Sequence, residues 1–112
     1  MATVTVSGNL VEVTALSDNW HFGTSGNPDP LIMANELEPG PFIRHIVLSP
    51  GTKTDAVLIL RERNSSGASY TIRCAVPQRQ VQVDFHGKQF KPYIDYDNST
   101  LGTDHKITIQ MD

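Results

Sequence analysis

Two carboxylates, Asp95 and Asp97, stand two positions apart in Tyr93-Ile94-Asp95-Tyr96-Asp97-Asn98. On an extended chain, residues i and i+2 share a face. Such a pair could work as general acid and base, because each carboxylate raises the other's pKa. The competing reading, which the sequence favours, is a solvated strand face running into a turn, since charges stay exposed unless paired. A calcium loop starting at Asp95 fails by position. Its sixth residue is Thr100 where the sharp turn needs Gly, and its twelfth is Lys106 where the ion needs a bidentate Glu. The four histidines, His21, His45, His86 and His105, show none of the spacings of a zinc site. His86, beside Gly87, reads as a turn residue, and His45 as a half-buried, hydrogen-bonded strand residue. Cys74 shares an alternating face with Ile72 and Val76 and reads as a small core hydrophobe rather than a nucleophile. No serine sits in a nucleophile-elbow context and no glycine pattern forms a phosphate loop. The expectation is therefore a protein that is not an enzyme, with no catalytic residue, no cofactor and no metal.

The remaining candidates are side chains for contact. Residues 17–41 run through Trp20-His21-Phe22, a Gly/Ser/Asn/Pro stretch, and Leu31-Ile32-Met33-Ala34-Asn35-Glu36-Leu37 before Pro39-Gly40-Pro41. A connection of this length is uncommon in a compact domain unless it has a function or is disordered, and four clustered aliphatics argue against disorder. Trp20, Phe22, Leu31, Ile32, Met33 and Leu37 are the partner-contact candidates, because aromatics and Met are enriched where proteins dock. Two readings stay open: an arm reaching a neighbouring subunit, or a lid folded over one end of the domain with Trp20 as an anchor. Residues 31–37 could make a short strand or a single helical turn, and helix is expected nowhere else. A carbohydrate platform of Trp20, Tyr93 and Tyr96 is a thinner alternative.

The elements that must position these residues are strands. Val4 and Val6, then Val11 and Val13, alternate with polar residues around a Gly8-Asn9 turn signal. Phe42–Leu48 and the wholly apolar Ala56–Leu60 are separated by Ser49-Pro50-Gly51-Thr52. Tyr70, Ile72, Cys74 and Val76 share one face before Pro77 ends the run. Val81, Val83 and Phe85 alternate next and lead to a turn at His86-Gly87-Lys88, and Ile107, Ile109 and Met111 close the chain. Seven or eight strands at this spacing predict an all-β fold, a single antiparallel β-sandwich or small barrel with one long loop, spanning residues 1–112 as one domain. Val57, Ile59, Ile72, Cys74, Val83, Phe85, Ile107 and Ile109 are the expected core. Charged residues are only 19% of the 112, replaced by Thr, Ser, Asn, Gln, Gly and Pro, and the formal charge is −3. A negative chain without a basic face argues against nucleic acid as a partner. No apolar run approaches the ~20 residues of a membrane helix, so no membrane partner is expected. The start Met1-Ala2-Thr3-Val4-Thr5 has neither the basic nor the apolar stretch of a signal peptide.

Three segments carry a family resemblance. They are Thr3–Thr14, Ile43–Gly51 leading into Asp55-Ala56-Val57-Leu58, and Lys88–Tyr96 followed by Leu101 and Lys106-Ile107-Thr108-Ile109. Together they resemble small virion structural proteins of tailed bacteriophages over about two-thirds of the chain, with residues 23–41 departing from the pattern. The resemblance implies a capsid decoration or cement protein that stabilises the head by protein–protein contacts. A neck or tail subunit, or a carbohydrate- or host-binding β module, is the alternative. The partners implied are the major capsid protein or other virion proteins and further copies of the chain, and the location implied is the virion, after synthesis in the host cytoplasm. No catalytic signature comes with it.

Overall fold

Alternating apolar and polar residues build two antiparallel sheets with their apolar faces turned toward each other. The computed structural model describes residues 3–21, 41–63, 65–75 and 80–112. Among these, β1 (Thr3–Ser7), β2 (Leu10–Thr14), β4 (Phe42–Ser49), β7 (Val81–Gln89) and β9 (Lys106–Met111) form one sheet in the order β1-β2-β9-β4-β7. The second sheet runs β3-β8-β5-β6, with β3 (Trp20–His21), β5 (Asp55–Glu62), β6 (Ser69–Ala75) and β8 (Pro92–Ile94). The fold is a small β-sandwich, as the alternation predicts. Phe22, Leu31, Ile32, Met33 and Leu37, and the expected turn of helix at 31–37, lie outside the described residues.

The β1–β2 hairpin closes through Gly8-Asn9, and Gly8 takes φ +60. A positive φ at the first loop position alone marks a type II′ turn, whose twist matches the flanking strands. At the other side of the sheet β4 and β7 pair with a register shift between Ile43 and His45. His86 and Gly87 both have positive φ there, +53 and +79. The expected turn at His86-Gly87-Lys88 is thus a bulge, and β7 continues through it to Gln89.

Between the sheets lie Val11, Val13, Ile43, Ile46, Leu48, Leu58, Leu60, Ile94, Ile107 and Ile109, all fully buried. Of the expected core, Ile72, Cys74, Phe85, Ile107 and Ile109 are buried. Val83 shares the inward face but is only half-buried, because β7 is an edge strand. Val57 and Ile59 require a correction: Ala56, Leu58 and Leu60 take the inner face of β5, opposite Cys74, Ile72 and Tyr70, and Val57 and Ile59 point outward. An unbroken apolar run carries no period to choose a face, so the pairing with β6 makes the choice.

Candidate functional site

The outward residues of β5 stand on the outer face of the second sheet. The register places His21, Tyr93, Arg61 and Ser69 in one row across β3, β8, β5 and β6. Beside this row Ile59 faces Thr71 and Val57 faces Arg73. The His21 and Tyr93 rings stack with centroids 5.7 Å apart. Val57, Ile59, Tyr93 and His21 are half-buried, so each keeps part of its surface accessible. An exposed Arg73–Asp55 pair, 3.2 Å apart, borders this lane on the side of β6.

Charge is fastened down at the other border. Arg61 Nε donates to Asp95 Oδ2 at 2.9 Å, and the Asn98 amide donates to the same oxygen at 2.9 Å. Asp95 keeps only 6% of its side-chain surface exposed. The Asn98 bond, helped by Arg61, outweighs burial and holds the Asp95 carboxyl below the usual carboxylate range. The Ser99 hydroxyl donates to the Asp95 carbonyl and accepts from the Ile59 amide, tying a single 3₁₀ turn, Tyr96–Asn98, to β5. Asp95 is therefore neither a solvated charge nor half of an acid/base pair. Asp97 lies in the 3₁₀ turn, exposed, with its amide donating to Asn19 Oδ1. The backbone leaves the strand after Ile94, so the i, i+2 relation no longer holds the two carboxylates on one face.

The other sequence candidates separate as well. Trp20 lies at 3% exposure in the core, facing inward because its neighbour His21 faces out. It anchors β3 and has no surface to offer a partner. It also leaves the proposed sugar platform, since Tyr93 occupies the opposite face. The exposed large hydrophobic among the described residues is Phe42, at 53%. His45 is half-buried in β4. Among the described residues no three His, Cys, Asp or Glu side chains gather as metal ligands.

Two clusters escaped the sequence. His105 is 3% exposed, accepts from the Leu16 amide at Nε2 (3.2 Å) and donates from Nδ1 to the Gly102 carbonyl (2.6 Å). The ring thereby joins two loops 89 positions apart. Next to it the Asp104 carboxylate accepts from the Thr52 amide and hydroxyl and is held below its ordinary pKa chiefly by that amide. Where β6 approaches β7, Tyr70 packs edge-on against Phe85 with centroids 5.3 Å apart and donates to Glu62, which also meets Lys88 at 3.6 Å. Burial first and then the Glu62 carboxylate push the Tyr70 hydroxyl up to about 12. The Tyr70 ring also meets Phe90, at 6.1 Å between centroids, so it packs at this seam. The only signal for either cluster was residue type; the partners are too distant in sequence to be paired by eye. Compared with protein families, with curated proteins and with solved structures, the chain matches none.

Proposed function

We propose that this protein is a structural component of a tailed-phage virion, a capsid decoration or cement protein that holds the head through the outer face of its second sheet. The observation that carries this reading is the lane of Val57, Ile59 and Tyr93 on a face the sandwich does not need to bury. An antiparallel sheet normally turns one face to the core and the other, polar, to water. Aliphatic and aromatic residues in the middle of the second face suit burial against another protein, where tyrosine is enriched. The resemblance to tailed-phage proteins rests on segments that build β1, β2, β4, the first half of β5, β8 and β9, and so includes Val57 and Tyr93 of this face. The partners in this reading are the major capsid protein or other virion proteins.

The test is a copy number. Particles purified from a producing lysate are resolved on a stained gel, and the band of this protein is compared with that of the shell protein. A cement protein is present in a fixed ratio to the shell lattice, and particles lacking it break at lower temperature. A few copies per particle point instead to a neck or tail subunit or a host-binding module, and absence from the particles overturns the virion reading.

A further inference from the structure

The register of the first sheet decides where the main-chain groups of its edge strand point. The Met111 amide donates to the Asn9 carbonyl at 2.8 Å, so residues of odd number along β2 bond toward β9. Alternation then turns the main-chain groups of Leu10, Glu12 and Thr14 toward β1, where their opposites are Ser7, Thr5 and Thr3. Among the described residues nothing pairs with the N–H and C=O groups of Val4 and Val6, which are aimed at the edge. Natural sheets blunt such edges with charge, proline, bulges or shortness. The other edges follow that rule: β7 is bulged at His86-Gly87 and carries Asp84 and Lys88, β6 carries Arg73, and β3 has two residues among those described. The five residues of β1, Thr-Val-Thr-Val-Ser, contain no charge and no proline, and they pair with β2 in unbroken register.

We propose that β1 is a self-association surface on which two copies of this chain pair antiparallel about a two-fold axis through Thr5. This axis sets Val4 opposite Val6 of the second copy, and Val6 opposite its Val4. Both are hydrogen-bonded pairs, each exchanging two N–H···O bonds. Thr3 meets Ser7 and Thr5 meets Thr5, so every residue of the strand has a partner; an axis through Val4 or Val6 leaves part of the strand unpaired. The half-buried Val4 and Val6 pack against the core on the inward side, and in the pair they extend that apolar layer into the second sandwich. On the outward side two threonines face one another, a favourable cross-strand pair. No like charges oppose each other. The carboxylate of the neighbouring strand, Glu12 opposite Thr5, is held by Lys106 Nζ at 2.9 Å, and its counterpart lies three strand spacings away, roughly 14 Å. An edge contact of five residues is small, so the dimer belongs to the weak, concentration-dependent class. This pairing needs only the chain itself and stands whether or not the virion reading does.

The experiment is disulfide trapping in the full chain. In a close antiparallel pair the Cα atoms of opposed residues lie about 4.5 Å apart, within reach of a disulfide. Under mild oxidation Thr5→Cys should form a covalent dimer at least about ten times faster than Thr3→Cys or Ser7→Cys, which face each other rather than themselves. An equimolar mixture of Thr3→Cys and Ser7→Cys should regain the fast rate. Cys74 is buried in β6 and serves as the background. Sedimentation supplies a second arm: Thr5→Lys and Thr5→Glu should each abolish association, and their mixture should restore it. Equal trapping rates for the three cysteine variants, or association unchanged by Thr5→Lys, overturns the proposal.

Discussion

The outer faces of the two sheets differ although the sheets are built by the same alternation. On the first sheet the outward residues are Thr3, Thr5 and Ser7 on β1, Leu10, Glu12 and Thr14 on β2, Lys106, Thr108 and Gln110 on β9, Phe42, His45, Val47 and Ser49 on β4, and Gln82 and Asp84 on β7. That face is mostly polar and is tied by the Glu12–Lys106 pair, and its apolar residues, Leu10 on β2 and Val47 and Phe42 on β4, each face polar neighbours across the sheet. On the second sheet the same positions hold Val57, Ile59 and Tyr93, with the nearby charge of Asp95 neutralised by Arg61 beneath the surface. Folding requires one apolar face per sheet. On the second sheet Val57, Ile59 and Tyr93 lie together beyond that requirement, among Asp55, Arg61, Ser69, Thr71 and Arg73, and this cluster is what the proposed contact uses.

The comparison breaks first along β5, whose two faces should respond very differently. Leu58→Ala removes a fully buried side chain from between the sheets and should cost about 2–5 kcal/mol through lost burial and a residual cavity. Ile59→Ala, one residue further on, should cost about 1 kcal/mol or less, as half-exposed positions do. Urea titrations at an unchanged slope measure both. Equal costs would mean that the second face is as much a core as the first.

A smaller effect tests the charge held beside the lane. Arg61→Met leaves the Asp95 carboxylate buried with Asn98 as its remaining side-chain donor and should destabilise the fold by about 1–3 kcal/mol at neutral pH. The sign with pH follows from the depressed pKa of Asp95. Its contribution is complete above the unfolded value of about 3.9 and disappears as pH falls through the lower folded value. Wild type should therefore lose stability below about pH 4 more steeply than Asp95→Asn. The lowered pKa of Asp104, bonded by Thr52, adds to the acid dependence in the same direction and is untouched by Asp95→Asn.

The fold was legible where alternation is clean. Val4, Val6, Val11 and Val13, and then Ile107, Ile109 and Met111, announce strands and their inward faces together. The face of β5 was not legible, because Ala56–Leu60 is apolar at every position and only the pairing of Leu58 with Ile72 decides it. The two shortest strands were hidden for a different reason. Trp20–His21 and Pro92–Ile94 are too short to show a period, and each exists by pairing with a distant partner. The same distance concealed the site. Tyr93 and His21 are 72 positions apart, and Arg61 and Asp95 are 34 apart. Trp20 suggested a contact residue by type, yet its inward register makes it a wedge in the core.

The smallest expected effect is spectroscopic. Tyr70, at the seam of the two sheets, should ionise at about 12, visible as a late step in the ultraviolet titration that disappears in Tyr70→Phe. Because the unfolded chain gives up this proton first, near pH 10, stability should fall as pH rises from there. A titration in which Tyr70→Phe removes an early step instead would place that ring in solvent.

The most direct test of the central claim sets one face against the other. Ile59→Lys and Thr108→Lys place the same charge mid-strand on the outer faces of the second and first sheets, and each variant is checked for folding by circular dichroism. Both are then mixed with capsids purified without this protein and sedimented. Thr108→Lys should bind at wild-type occupancy, and Ile59→Lys should fall to roughly a tenth of it or less at the same concentration, as loss of a central contact predicts. Equal binding by the two variants, or a loss confined to Thr108→Lys, would contradict the claim that the second sheet carries the contact face.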